Sequence, residues 1–214
     1  MTQDFVHLRM HTEFSIKDGM LNPKKVVHKA IASGMKALAI TDATAMFGDV
    51  IFYKAASAAG IKPILGADCS ITNHYNRDDY LRLLFLARNR QGYLTLCDLL
   101  SRAWLTNQYK DRGEVDLDWI TPEMADGLIV LSGFNTGAIG KAILNGSLSA
   151  AEQEARRLSQ KFPHFFMELQ RVGRPNDEML VAESVKLAKK LGLPVVATQP
   201  IQFENPEDFE FHEA

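Results

Sequence analysis

The residues near the start of the chain that are best suited to chemistry lie in the segment 5–19. Apolar and polar residues alternate over 6–11, which predicts a β-strand with His7, Arg9 and His11 on one face. Two histidines at alternate positions of a strand often begin a multi-metal site, because both imidazoles can reach one ion. At positions 9 and 11, the pair nearer the end of the strand, the first residue is Arg9 and not a histidine. A guanidinium keeps its proton and cannot bind a metal. The segment therefore predicts a metal-type site from which one ligand is missing.

The elements that must position these residues follow from apolar runs of strand length that alternate with helical patterns. Such alternation predicts βα units and a parallel sheet. The predicted strands are 5–10, 37–41, 62–67, 80–87, 128–132, 165–169 and 194–198. Seven units without a change in composition predict a single α/β domain, a distorted seven-stranded (β/α) barrel of the TIM type.

Helices are predicted between the strands from their start and stop residues. The first begins near Pro23 and is closed by Gly34, and the fourth follows a Ser149 cap. The second and third helices are predicted over 48–59 and 90–105, the fourth over 149–161 and the fifth over 175–191. The segment 106–126 is predicted to be an excursion from the barrel.

Polar residues follow several of the predicted strands, at the end of a barrel where function gathers. Any one of them could cap a helix or be a satisfied loop residue. Several carboxylates packed together, however, repel each other unless a cation lies among them. The sequence therefore predicts a cation at these strand ends. The residues are His11, Asp42, Asp68, Ser132, Glu168 and Thr198, with Asp18 in the first loop.

Composition narrows the class of protein. The chain has 214 residues and a formal net charge of −2, whereas a domain that grips DNA by its backbone normally carries a basic excess. Strong autonomous DNA binding is therefore not expected. No apolar run reaches membrane-spanning length and no signal peptide is visible, so the sequence predicts a cytoplasmic protein. Cys69 and Cys97 are expected to be buried free thiols.

The segment 5–19 resembles the first motif of the polymerase and histidinol phosphatase (PHP) domain. It is similar to the form at the N-terminus of bacterial replicative DNA polymerases, the polymerase III alpha family. Further matching blocks occur in order along the chain, and Gly-Ile-Lys-Pro-Ile-Leu-Gly at 60–66 is the most specific of them. The other blocks lie at 39–42, 86–93, 131–133, 168–170 and 192–198.

The resemblance implies a cluster of three metal ions in active members, but this chain departs from the ligand pattern. His11, Asp18 and Asp42 match the ligand types, and Asp68 stands where glutamate is usual. Positions that differ from the expected ligands are Arg9, Ala43, Arg82, Phe134, Val172, Pro200 and Gln202. His7 is expected to be a core histidine, and His212 is a weaker candidate for a remnant ligand.

With one clear imidazole left, the resemblance implies a degenerate site with no catalytic residue and no bound metal. Arg9 and Arg82 are expected to form a salt-bridge network with the acidic residues in place of the ions. The vestigial positions are Arg9, His11, Asp18, Asp42, Asp68, Arg82 and Glu168. If an ion is retained, its expected ligands are His11, Asp18, Asp42 and Asp68.

The resemblance also implies a role in chromosome replication. The parent chain would be a DNA-directed DNA polymerase, a nucleotidyltransferase whose magnesium ions bind in later domains. Residues 1–214 are then expected to be an excised N-terminal fragment, with a new helix starting in 206–214. The domain itself would brace the polymerase and dock partners, above all the proofreading exonuclease (epsilon) subunit. Two alternatives stay open: a residual metal-dependent phosphoesterase or nuclease, and a free-standing PHP phosphatase.

Overall fold

The computed structural model describes residues 5–16, 18–205 and 208. These residues form two compact units. The first contains the residues up to Asp68 together with those from Pro200 onward, and the second is Cys69–Gln199. The helix start predicted over 206–214, including His212, lies outside the described residues apart from Asp208.

The first unit contains a βα-type pair of parallel strands. Its elements are α1 (Pro23–Ala32), β1 (Ala37–Ala43), α2 (Asp49–Ala58) and β2 (Lys62–Ile71), which continues past the unit boundary. Asn22 caps α1 through the backbone N–H groups of Lys24 and Lys25, as expected for an asparagine ahead of a first-turn proline. β1 and β2 pair in parallel from Ala37 opposite Lys62 to Ala43 opposite Asp68.

The first predicted strand, 5–10, is not a regular strand, and this part of the prediction was wrong. The backbone oxygens of His7 and Met10 accept from the N–H groups of Ala39 and Thr41, respectively. The two acceptors are three residues apart in the chain, whereas the two donors on β1 are only two residues apart. The Met10 N–H donates to the Thr41 hydroxyl at 2.8 Å in place of a backbone acceptor. An extra residue of this kind interrupts a ladder as a β-bulge does.

The second unit contains four strands in the order β3 (Leu81–Ala87), β6 (Leu128–Leu131), β7 (Phe165–Leu169) and β8 (Val195–Ala197). Its helices are α3 (Arg90–Thr106), α4 (Pro122–Asp126), α5 (Ala138–Leu144), α6 (Leu148–Lys161) and α7 (Asp177–Leu191). A short hairpin, β4 (Gln108–Tyr109) with β5 (Arg112–Gly113), lies in the predicted excursion.

Several predictions for this unit needed correction. β3 pairs antiparallel with β6, whereas a parallel sheet was predicted. Residues 72–80 lead into β3 without a helix, so β3 does not follow a parallel crossover, which needs about a dozen residues or more. The cap of α6 is Ser147 and not Ser149, and its side chain makes no capping bond. The helix α5 was not predicted at all. Among the described residues, no helix is both long and apolar enough to span a bilayer.

Candidate functional site

Arg9 and His11 both reach the same carboxylate at the end of the paired part of β2. Arg9 Nη1 donates to Asp68 Oδ2, and His11 Nε2 lies 3.1 Å from the same oxygen. Asp68 is fully buried and the other two residues are each 4% exposed. Arg9 and His11 thus reach one oxygen atom, although the segment that carries them is not the regular strand that was predicted.

His11 lies between two carboxylates. Its Nδ1 is 3.0 Å from Asp18 Oδ2, while Nε2 faces Asp68. Both ring nitrogens can donate to these carboxylates only when the ring is the doubly protonated imidazolium. In that state two cations, Arg9 and His11, balance the two anions Asp18 and Asp68. The second oxygen of Asp18 accepts from the amide of Gln202.

Asp42 anchors the loop after the first segment. Its Oδ1 accepts from the backbone N–H of Thr12 at 2.6 Å and from the hydroxyl of Ser15 at 2.7 Å. The Thr12 hydroxyl lies 2.9 and 2.8 Å from the two carboxylate oxygens. Ser15 in turn accepts from the N–H of Ala43. Asp42, predicted as a metal-type ligand, is thus held by three donors that fix residues 12–15 to the end of β1.

Asp49 is a buried acidic residue that the sequence reading missed. It is 1% exposed, and neither of its oxygens has a hydrogen-bond partner among the described residues. Burial, and then the charge of Asp42, raise its pKa to about 8, so the carboxyl is neutral at pH 7. Its sequence gives no signal, because aspartate in the first turn of a helix is usually an exposed residue that favours the dipole.

The remaining vestigial positions, Arg82 and Glu168, lie in the second unit. Glu168 is 1% exposed and accepts from Gly133 N at 3.1 Å, Thr198 Oγ1 at 2.5 Å and Gln170 Nε2 at 3.0 Å. Ser132, also predicted at a strand end, accepts from the Glu168 N–H. The backbone of Gly133 and the side chains of Thr198 and Gln170 thus hold the Glu168 carboxylate in place.

Phe134 and Val172 stand at two positions where the resemblance implies a metal ligand, and neither side chain can bind a metal. Phe134 is 2% exposed and directly follows Gly133, whose left-handed φ of 81° allows the turn. Val172 is partly exposed, and its N–H donates to Asp177. Arg82 lines a cavity of about 610 Å³ in the second unit.

His74, Asp116 and Asp118 form a further group on the wall of this cavity, with ligand-type atoms within 4.8 Å of one another. The sequence did not indicate it, because its members come from a loop and from the excursion. Asp116 already serves two partners there. It lies 3.3 Å from His74 Nε2 and accepts from the backbone N–H of Asp118 at 3.0 Å.

The fold and this arrangement of strand-end residues define a PHP-type α/β domain. The PHP domain family matches residues 7–172, and the chain belongs to that family. Two solved structures share the fold. An amidohydrolase from Chromobacterium violaceum superposes with a TM-score of 0.64 at 14% identity, over 97% of this chain and 95% of that one. A protein from Bifidobacterium adolescentis assigned as a metal-dependent phosphoesterase gives 0.61 at 13%, over 94% and 89%.

The chain is similar over its whole length to bacterial DNA polymerase III subunit alpha. It is 42% identical to that of Pseudomonas aeruginosa over 214 residues, which are 100% of this chain and 18% of the relative. The subunit of Neisseria meningitidis serogroup B is 46% identical over 98% of this chain and 19% of its own length. The subunit of Escherichia coli K12 is 41% identical over 98% of this chain and 18% of its own length. The chain thus spans less than a fifth of these relatives and matches their N-terminal PHP region.

Proposed function

We propose that this PHP domain has exchanged its metal cluster for a fixed network of protein charges. On this proposal it serves chromosomal replication as a structural and docking module. The observation that carries the proposal is the contact of Arg9 with buried Asp68. A guanidinium is a permanent cation with a donor fork that suits a carboxylate. It supplies at this point the positive charge that an ion would otherwise bring.

The charge balance of the network supports the same proposal. Asp18 and Asp68 face His11 from both sides, and Asp42 is occupied by Thr12 and Ser15. A metal ion would have to displace these contacts before it could bind. In the second unit, Glu168 likewise accepts hydrogen bonds from Gly133, Thr198 and Gln170.

A residual metal-dependent phosphoesterase is the second candidate, because one feature favours it. His11 has a carboxylate beside each ring nitrogen, Asp18 at Nδ1 and Asp68 at Nε2, and imidazole and carboxylate are donor types that suit a zinc or manganese ion. Arg9 argues against this candidate, since it brings a like charge to any ion that Asp68 would bind.

We also propose that the domain closes as a seven-stranded barrel in which the irregular segment 7–11 takes the position of the seventh strand. Two sets of hydrogen bonds support this. On one side, Ala39 and Thr41 donate to the segment. On the other, Met10 bridges to Ile201, and the His11 N–H donates to the Ile201 oxygen at 2.9 Å.

The wider role follows from the relatives and is part of the proposal. The parent protein would be a DNA-directed DNA polymerase of the cytoplasmic replisome, with magnesium bound in its later palm domain. The PHP domain would brace that enzyme and bind the proofreading exonuclease (epsilon) subunit. No polymerase or hydrolase activity is expected of residues 1–214 alone.

The test is the metal content of the purified, untagged chain, measured by elemental analysis after exposure to zinc and manganese and desalting. Less than about a tenth of an equivalent is expected. Arg9→His is the matched variant, because it returns an imidazole to the site and should raise the metal content. About one equivalent in the native chain, lost in His11→Ala, would instead support the phosphoesterase.

A further inference from the structure

Helix α1 presents a basic face to solvent. Lys24, Lys25, His28 and Lys29 are all exposed, whereas Val26, Val27 and Ala30 on the opposite side are buried. No acidic residue occurs in Pro23–Ala32, although the whole chain has a net charge of −2. The helix therefore carries positive charge without a compensating acidic residue of its own.

The three lysines of this face make no ion pair within the described part of the chain. The ammonium of Lys29 donates to the backbone oxygen of Glu204 and to the side-chain oxygen of Asn205, which are both uncharged acceptors. Glu13 is the acidic residue bonded at the start of the helix, but its carboxylate accepts from the Asn22 amide at 2.8 Å.

This arrangement costs helix stability. Lys25 and Lys29 are four residues apart, a spacing at which like charges repel. Lys24 and Lys25 also lie in the first turn, where the helix dipole favours acidic residues. The contrast is with α6 and α7, where several exposed cations are paired, as in Arg156–Glu152, Arg157–Glu154 and Lys186–Glu183.

We propose that the α1 face is a contact for the phosphate backbone of DNA, independent of sequence. Residues i and i+4 are separated by about 6 Å along a helix, and duplex DNA carries one negative charge per about 1.7 Å of its axis. Lys24 and Lys25 can therefore each reach a phosphate, and Lys29 can do so when it exchanges its two uncharged acceptors for one. The choice of DNA over another polyanion rests on the proposed function in replication. A contact of about three charges is weak and salt-sensitive, which fits a chain without an overall basic excess.

The experiment measures fluorescence anisotropy of a labelled duplex of about 30 base pairs with the 214-residue chain, over a salt series starting near 20 mM. The test variant is K24Q/K25Q/K29Q. The control is K186Q/K189Q/K190Q, which removes three lysine charges from exposed positions of α7, two of them ion-paired with Glu183 and Glu152. Thermal unfolding of both variants reports on the fold, and loss of the like charges should leave α1 at least as stable as before.

The α1 variant should bind about tenfold or more weakly, and the slope of log affinity against log salt should fall by about 2 to 3. The α7 control should stay within about twofold of the native chain. Equal weakening by both variants would overturn the proposal, as would an unchanged α1 variant or equally tight binding of polyglutamate. Any of these results leaves the metal analysis of the Arg9 network unaffected, so the two proposals fail separately.

Discussion

Arg9 Nη1 donates to Asp68 Oδ2 while 5% of one side chain and none of the other is exposed to solvent. Taking both charges out of water is costly, and only their mutual attraction and further hydrogen bonds offset that cost. His11 supplies one such bond to the same oxygen. The pair therefore adds little net stability, but removing either partner is costly because it leaves an unpaired buried charge behind.

Replacing Arg9 with alanine should destabilise the chain by about 3 kcal/mol, the usual result when one partner of a buried ion pair is removed. Arg9→Lys should lose less, since it keeps the charge but not the fork. Unfolding in urea measures both. Arg171→Ala is the control, because Arg171 pairs with Glu178 on the surface with 69% and 72% of the side chains exposed, and no measurable loss is expected there. A loss below about 0.5 kcal/mol for Arg9→Ala would mean that the guanidinium is effectively solvated.

Asp42→Ala should release the loop 12–15 from β1. The Thr12 N–H and the Ser15 hydroxyl lose their acceptor, and unsatisfied buried donors cost about 1 to 3 kcal/mol each. The local readout is hydrogen exchange of the Thr12 amide, which should become faster. Ser15→Ala removes one donor and keeps the carboxylate, so it should leave Thr12 protected. Equal Thr12 exchange in the Asp42 variant and the native chain would contradict the anchoring role.

Much of the fold could be predicted, because most of the strands are apolar runs with clear stops. The apolar runs around Ile40, Phe85 and Met167 form strands where predicted. These residues are buried, and burial on both faces is the reason that the runs are apolar. The direction of β3 could not be predicted from its own residues, since direction depends on the length of the connection before it. The bulge at 7–10 depends on a tertiary hydrogen bond from Met10 to Thr41, which no local pattern encodes.

The candidate site was predictable in part for a similar reason. Arg9 and His11 stood out because residue type alone decides what can bind a metal. The structure brings Arg9, His11, Asp18 and Asp68 together and gives Asp42 a separate set of donors. Asp49 was invisible, because its unusual state comes from burial and from the charge of Asp42, both of which are properties of the fold.

Asp49 predicts a specific dependence of stability on pH. Its pKa is raised from 3.8 to about 8 in the folded chain, so the folded state holds a proton that the unfolded state releases. The stabilisation linked to this proton is complete below pH 3.8 and is lost as the pH rises through about 8. Asp49→Asn removes the titration. Its stability relative to the native chain should therefore increase from pH 5 to pH 9.

The measurement is the free energy of unfolding of both chains at about pH 5, 7 and 9. Asp98→Asn is the matched control, since Asp98 is an exposed residue of α3, and its difference from the native chain should not follow the same trend. A constant difference between Asp49→Asn and the native chain across the range would show that Asp49 is ionised in the fold.

Glu168 gives the corresponding prediction for the second unit. Its carboxylate accepts from Gly133, Thr198 and Gln170, and a glutamine there would turn an N–H₂ group toward at least one of these donors. Glu168→Gln should therefore cost about 2 kcal/mol, whether or not zinc is present during unfolding. Glu178→Gln, at an exposed position of α7, is the control. If the native chain were stabilised by zinc and Glu168→Gln were not, Glu168 would be acting as a metal ligand and the network would not have replaced the ion.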